Sequence, residues 1–267
     1  MKTLSQLFFA ALFFVFAFGT QTSAQTFAVK PAKLQYPLEP EQSAYRQITV
    51  TNLTDKPQTY NITKGDFMPD EMGNTKRFAA GTTSRSCADW IQITPTTFEL
   101  APNESKKIRV SISVPKEIIA TKWAELYIQQ EEELTMLPAL ADKAMQSQLQ
   151  AQGRIAVPIL QSPNSNTDFE AIIKDLRESE KNKYHVDLVN SGDKLILGSI
   201  VRTLTNLETG LKKQLPELNI ALLPDVTRTI EFPLPTKLDP GMYNLTAIWQ
   251  LDYQKKPKGV RTQIEVK

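Results

Sequence analysis

The chain has 267 residues, with 31 Lys and Arg against 29 Asp and Glu, a single His and a single Cys. A formal net charge of +2 lacks the strongly basic footprint of a nucleic-acid binder. One His and one Cys leave too few ligands for a zinc site, and 41% hydrophobic residues suit a chain that packs cores rather than one that stays disordered.

Residues 1–24 have the form of an export signal. Lys2 supplies a positive start, residues 7–18 are apolar and uncharged, and Thr22, Ser23 and Ala24 offer small side chains for cleavage. The apolar run is about a dozen residues, short of the roughly 20 that span a bilayer. No Cys follows it to carry a lipid, and no second apolar stretch appears downstream. The mature chain of about 240 residues is expected to be soluble outside the cytoplasm and long enough for two domains. Cys87 has no internal disulfide partner, so both cores must hold by packing alone.

Short strands are predicted at 27–29 and 33–36, on either side of Pro31, a residue that suits an edge or a strand changing sheets because it cannot donate to a ladder. Residues 46–51 and 58–64 alternate apolar and polar around a turn at 52–57. Residues 65–88 are polar and irregular and are expected to be a long loop with room for a short strand. Strand character resumes at 90–93. Phe98 and Leu100 should begin a hairpin that turns at Pro102-Asn103-Glu104. Ile108, Val110, Ile112 and Val114 then alternate with Lys107, Arg109, Ser111 and Ser113, the pattern of a half-buried strand.

A further strand is predicted at 123–129. Residues 131–152 break the pattern: three consecutive Glu, then Leu, Met and Ala without a β-branched run, which implies a loop and a short helical insert. Residues 154–160 return to strand, and the turn-rich segment 161–167 marks a boundary. The domains are therefore expected at 25–162, carrying the insert 131–152, and at 163–267. Strands follow at 169–176, 184–188, within 194–207, and at 218–222, 229–234, 242–253 and 259–266, with a charged turn at 177–182.

The two halves share a grammar. N-L-T-D-K at 52–56 and N-S-G-D-K at 190–194 each end an alternating strand. L-A-P-N-E-S-K-K-I at 100–108 and L-L-P-D-V-T-R-T-I at 222–230 supply a second matched turn in each half. Short strands every eight to twelve residues with Gly, Pro and Asn punctuation predict an all-β chain of two tandem immunoglobulin-like β-sandwich domains. The sequence carries no nucleophile elbow, no phosphate-cradling glycine loop and no dinucleotide fingerprint, so no enzyme, cofactor or metal is expected. His185 lies on the polar face of a strand in the other half from Cys87.

The first half resembles the N-terminal domain of the PapD-like periplasmic chaperones of pilus assembly. The resemblance rests on R-Q-I-T-V-T-N-L-T-D-K-P at 46–57, W-I-Q-I-T-P at 90–95, F-E-L-A-P-N-E-S-K-K-I-R-V at 98–110, and the alternating strand at 154–160. The chain is also similar to the WxL-interacting surface proteins of Gram-positive bacteria, through F-x-V-K-P at 27–31, the N-x-T-D-K-P turn, L-x-P-x-x-S-K at 100–106 and V-P-K at 114–116.

The chaperone resemblance implies strand lending, in which backbone hydrogen bonds complete a client's sheet and alternate side chains fill its groove. It places Ile155, Val157 and Ile159 as the inserted side chains, and Lys30 or Lys33 with Arg154 as the basic pair that holds a client's terminal carboxylate. Pro158 departs from the pattern by removing a donor. The function so implied is an exported, periplasmic, chaperone-like protein that binds an envelope or pilus-type protein by β-strand addition. The alternative is a cell-surface or wall-associated adhesion module that binds peptidoglycan or a surface protein. Neither implies a nucleic acid or a small-molecule substrate.

Overall fold

A computed structural model describes residues 25–131, 153–253 and 256–266. In the first half the strands are β1 (Phe27–Lys30), β2 (Leu34–Tyr36), β3 (Ser43–Asn52), β4 (Gln58–Pro69), β5 (Thr75–Ala79), β6 (Ile91–Thr94), β7 (Thr97–Leu100), β8 (Ser105–Ser113), β9 (Lys122–Gln130) and β10 (Arg154–Gln161). They form one sheet in the order β1-β3-β8-β6 and a second in the order β2-β10-β9-β4-β5, with β7 also on β4. The second half contributes β11 (Ala171–Glu180), β12 (Lys183–Asn190), β13 (Ile196–Asn206), β14 (Lys212–Gln214), β15 (Leu218–Leu222), β16 (Val226–Pro233), β17 (Gly241–Leu251) and β18 (Lys258–Val266). Its sheets run β11-β12-β16 and β14-β13-β17-β18, with β15 on β13. The chain is thus all-β, built as two tandem immunoglobulin-like sandwiches.

Alternation explains the layers. In β8, Ile108, Val110 and Ile112 are fully buried while Lys107 and Arg109 are exposed, so a strand with period two gives one face to the core and one to water. Each such aliphatic side chain stabilises the fold by roughly 1.5–3 kcal/mol. The first core gathers Phe27, Ile48, Tyr60, Ile108, Leu126 and Val157, and the second gathers Val186, Ile200, Leu204, Leu245 and Trp249. Pro31 sits where the chain leaves the first sheet after β1 and enters the second as β2.

The matched turns do more than reverse the chain. In each half the first one carries the chain from one sheet to the other, β3 to β4 and β12 to β13. The second does the same, β7 to β8 and β15 to β16, so residues 98–108 form a crossing between sheets and not the hairpin expected from sequence. A buried Asn ties the two crossings together in both sandwiches. Asn52 Nδ2 donates to the carbonyls of Lys56, Leu100 and Ala101 at 2.7, 3.2 and 3.1 Å, and its Oδ1 accepts from Thr54 N and Oγ1. Asn190 Nδ2 donates to the carbonyls of Lys194 and Leu222 at 2.8 and 2.9 Å, and its Oδ1 accepts from Gly192 N. Strands that change sheets leave ladder groups without a neighbour, and the amide satisfies them.

Two other expectations change. The loop assigned to 65–88 is shortened at its start: β4 runs on to Pro69 and pairs with β5 around a tight turn in which Asp70 Oδ1 accepts from Asn74 N at 2.8 Å and Gly73 has φ of 83°. The buried Asp66 carboxylate then holds the remainder, accepting from Thr82 N, Thr83 N and Ser86 Oγ. The charged turn assigned to 177–182 is mostly strand, since β11 continues to Glu180 with its charges on an exposed face. Residues 132–152 of the expected helical insert lie outside the described residues.

Candidate functional site

β10 is paired unequally on its two sides. With β9 it makes an antiparallel ladder from Arg154↔Gln129 to Gln161↔Lys122. On its other side it pairs in parallel with β2 only at Ile159, Leu160 and Gln161. Residues 154–158 therefore present an edge with no strand partner among the described residues.

Pro158 fixes which backbone groups face that edge. The ladder to β9 continues without a register break across Pro158↔Glu125. A proline cannot donate, so its nitrogen must point away from β9, toward the open side. Backbone direction alternates along a strand, so the N–H groups of Arg154 and Ala156 also face the open side, while those of Ile155, Val157 and Ile159 serve the ladder. The Pro158 carbonyl is taken up by the parallel pairing with Leu34, so the edge offers two donors and the carbonyls of residues 154 and 156.

Side chains alternate the other way. Val157 and Ile159 are 0% exposed and belong to the first core; Ile155 is half-buried and packs against it. In this arrangement Val157 and Ile159 cannot fill a partner's groove, because β10 has its own sandwich beneath it over that stretch. Ile155, nearer the strand's start, is the one of the three with surface left to offer.

The expected basic residues are not brought together. Arg154 lies at the far end of β10, with its guanidinium 3.6 Å from the centre of the Tyr127 ring. Tyr127 in turn covers Gly65, where a Cβ would come within 2.3 Å of the ring. Burial, followed by the charge of Glu125, raises the Tyr127 pKa. Lys33 immediately precedes β2 and is level with Pro158 in the parallel register, about 13 Å along the strand direction from Arg154 at four residues' spacing. Lys30 ends β1, on the opposite sheet. Sequence spacing could not reveal these separations, because β1 and β2 belong to different sheets.

Lys33 instead lines a cleft of about 490 Å³ between the sandwiches. Leu34, Phe67, Trp123, Pro158 and Leu160 form one wall, and Leu197, Ile220, Leu222 and Val226 the other. Trp123 is anchored by a 2.7 Å hydrogen bond from Nε1 to the Phe67 carbonyl. Arg228, on β16, also lines this cleft, and its guanidinium lies against Gly73 of the β4–β5 turn. Nothing local in the sequence marks Arg228, whose neighbour in space is about 150 residues away along the chain.

The two sandwiches are tied beside this cleft. Arg85 donates from Nε to Asp225 at 2.7 Å and from Nη1 to Asp193 at 2.5 Å, with its own side chain only 12% exposed. Burial works against the Arg85 charge, but the hydrogen bonds to Asp193 and Asp225 outweigh it and raise the pKa. Backbone bonds reinforce the join: Thr121 N to Asp193 O at 3.0 Å, and Thr229 N to Glu71 O at 2.7 Å. Cys87 is fully buried nearby, and burial followed by the Asp66 charge pushes its thiol up to about 12. A thiol so held is protonated at neutral pH and is not a nucleophile. No cluster of potential metal ligands occurs among the described residues.

No protein-family model matches the chain, and no curated protein sequence matches it. Solved structures of similar shape include the class 5 fimbriae chaperone CfaA, with 14% identity and a TM-score of 0.47 over 89% of this chain and 98% of that one. The E. coli chaperone DraB matches at 14% identity and 0.44, over 90% and 97%. A chain of the CsuC–CsuE pre-assembly complex of Csu pili from Acinetobacter baumannii matches at 12% and 0.44, over 88% and 97%.

Proposed function

We propose that this chain is an exported, non-enzymatic, chaperone-like protein that captures an extended segment of another exported protein at the open edge of β10. The observation that carries this reading is the one-sided pairing of Arg154–Pro158: ladder-bonded to β9 throughout, and free of any strand on the other side among the described residues. An exposed edge in a folded protein is a template for strand addition, and proteins that do not use one usually cover or charge it. Main-chain hydrogen bonds would supply affinity, and Ile155 beside the edge an apolar contact. The cleft, with Lys33 and Arg228, would receive whatever extends past residue 158. The resemblance to PapD-like chaperones read from the sequence names the class of partner, an envelope or pilus-type subunit.

The test uses ten-residue peptides of alternating apolar and polar residues as probes. Ala156→Pro removes a donor from the open edge while leaving the β9 ladder intact, as Pro158 already does two residues on. Peptide affinity should fall at least about tenfold, the effect of about 1.4 kcal/mol or one to two hydrogen bonds. A peptide N-methylated on alternate amides should lose binding when the methyls face β10 and keep it when they face away. Binding that ignores both changes would refute the proposal.

A further inference from the structure

The other sheet of the first sandwich presents a face that strand addition does not use. Residues directly paired across strands share a face, so the registers of β1, β3, β8 and β6 define its rows. Lys30, Thr49 and Lys107 lie side by side in one row. Gln47, Arg109 and Thr94 form the next, and Tyr45, Ser111 and Gln92 the one after. Ala28, Thr51 and Ser105 flank them on one side, where Thr51 and Ser105 share a 2.8 Å hydroxyl hydrogen bond. Ser43 and Ser113 flank them on the other, joined at 2.9 Å.

The grid holds three cations, no carboxylate among the described residues, and otherwise mostly hydroxyls, amides and one ring. None of the three cations is in an ion pair among the described residues. Tyr45 is 51% exposed, with the Arg109 guanidinium 3.9 Å from its ring centre. Adjacent strands are about 4.8 Å apart and alternate residues about 6.8 Å apart along a strand, which sets Lys30 about 10 Å from Lys107 and Lys107 about 7 Å from Arg109.

We propose that this face binds an anionic glycan. The cations match a ligand with negative charges repeated at sugar spacing, and the hydroxyl and amide rows match its many hydroxyls. The exposed ring, oriented by Arg109, offers a surface for a sugar's C–H face. A protein partner would need an apolar pocket for its anchors, and the rows of this face carry mostly charged, hydroxyl and amide side chains. The surface lies on the opposite sheet from β10, so a bound glycan and a bound strand do not compete.

The test measures retention of the full chain on immobilised polygalacturonate, with neutral dextran and polyglutamate as comparators. The chain should bind polygalacturonate, weaken about tenfold between roughly 50 and 200 mM salt, and ignore dextran. K107S/R109S should lose binding at least about tenfold through the lost charges, while keeping its unfolding midpoint and its peptide binding at β10. Tyr45→Ser should weaken the glycan and leave the midpoint unchanged. Failure of the wild-type chain to bind polygalacturonate, or unaltered binding by the double variant, would overturn the proposal. Equally tight binding to polyglutamate would overturn it too, since the face would then read charge alone.

Discussion

Replacing Asn52 or Asn190 should destabilise one sandwich at a time, and by an amount the hydrogen bonds set. Both side chains are fully buried. Asn52 uses two N–H hydrogens against three carbonyls and accepts two bonds at Oδ1; Asn190 donates two and accepts one. At about 1 kcal/mol net for each hydrogen bond, Asn52→Ala should cost about 4 kcal/mol and Asn190→Ala about 3 kcal/mol. Asn52→Asp should cost more than Asn52→Ala, because a carboxylate oxygen would then face carbonyl oxygens now 2.7–3.2 Å from the amide nitrogen. With a urea dependence of roughly 1–3 kcal/mol per molar, the midpoints should fall by about 1–4 M.

Fluorotryptophan labelling and fluorine NMR during urea titration would read the sandwiches separately. Trp90 and Trp123 report on the first, and Trp249 is the sole Trp of the second. Asn190→Ala should move the Trp249 transition most, and Asn52→Ala the Trp90 and Trp123 transitions. Shifts under about 1 kcal/mol in both variants, or a tolerated Asn52→Asp, would refute the claim that the Asn amide holds the crossings together.

Three further outcomes are expected. Arg85→Ala breaks the tie to Asp193 and Asp225; as both acids are about half exposed, the loss should be nearer 2 kcal/mol than the 3–5 kcal/mol of a fully buried pair. Calorimetry should then show the two sandwiches unfolding further apart in temperature. Arg202 is 3% exposed with no carboxylate partner among the described residues; its Nη2 donates to the Pro216 carbonyl, its Nε is unbonded, and its guanidinium lies 4.8 Å from the Phe232 ring centre. Arg202→Met should be neutral or stabilising by about 1 kcal/mol in urea unfolding, because the cost of burying the charge exceeds what one carbonyl bond returns; a loss above about 2 kcal/mol would show that the Pro216 bond and the Phe232 contact outweigh that cost. Cys87 should resist thiol reagents in the folded chain. Its folded pKa of about 12 lies above the ordinary 9.0, so its contribution to stability is complete below pH 9 and is lost as pH rises from there toward 12, which Cys87→Ala should abolish in a pH series of unfolding midpoints.

The fold was largely legible because alternation is a local property. Ile108, Val110 and Ile112 declare their buried face within one strand, and the N-x-x-D-K turns mark corners in both halves. What the matched turns connect was not legible. Crossing and hairpin use the same turn residues, and only pairing with distant β3, β4 and β6 separates them. The candidate site was half legible. Residues 154–160 could be recognised as a strand, but whether its apolar side chains face a partner or its own core depends on the sheet beneath it, which buries Val157 and Ile159. The basic residues failed for the same reason: Lys30 and Lys33 are three apart in sequence and lie on different sheets. Arg85, Asp193 and Asp225 meet across more than a hundred residues of chain, a distance over which no periodicity speaks.

The most direct measurement is residue-resolved amide hydrogen exchange along β10, first in the free chain and then with a captured partner. In the free chain Ala156 should exchange fast and Ile155 and Val157 slowly, with Ala156 becoming protected in the complex. An Ala156 amide that is already protected in the free chain, or one that still exchanges freely with a partner bound, would contradict strand addition at this edge.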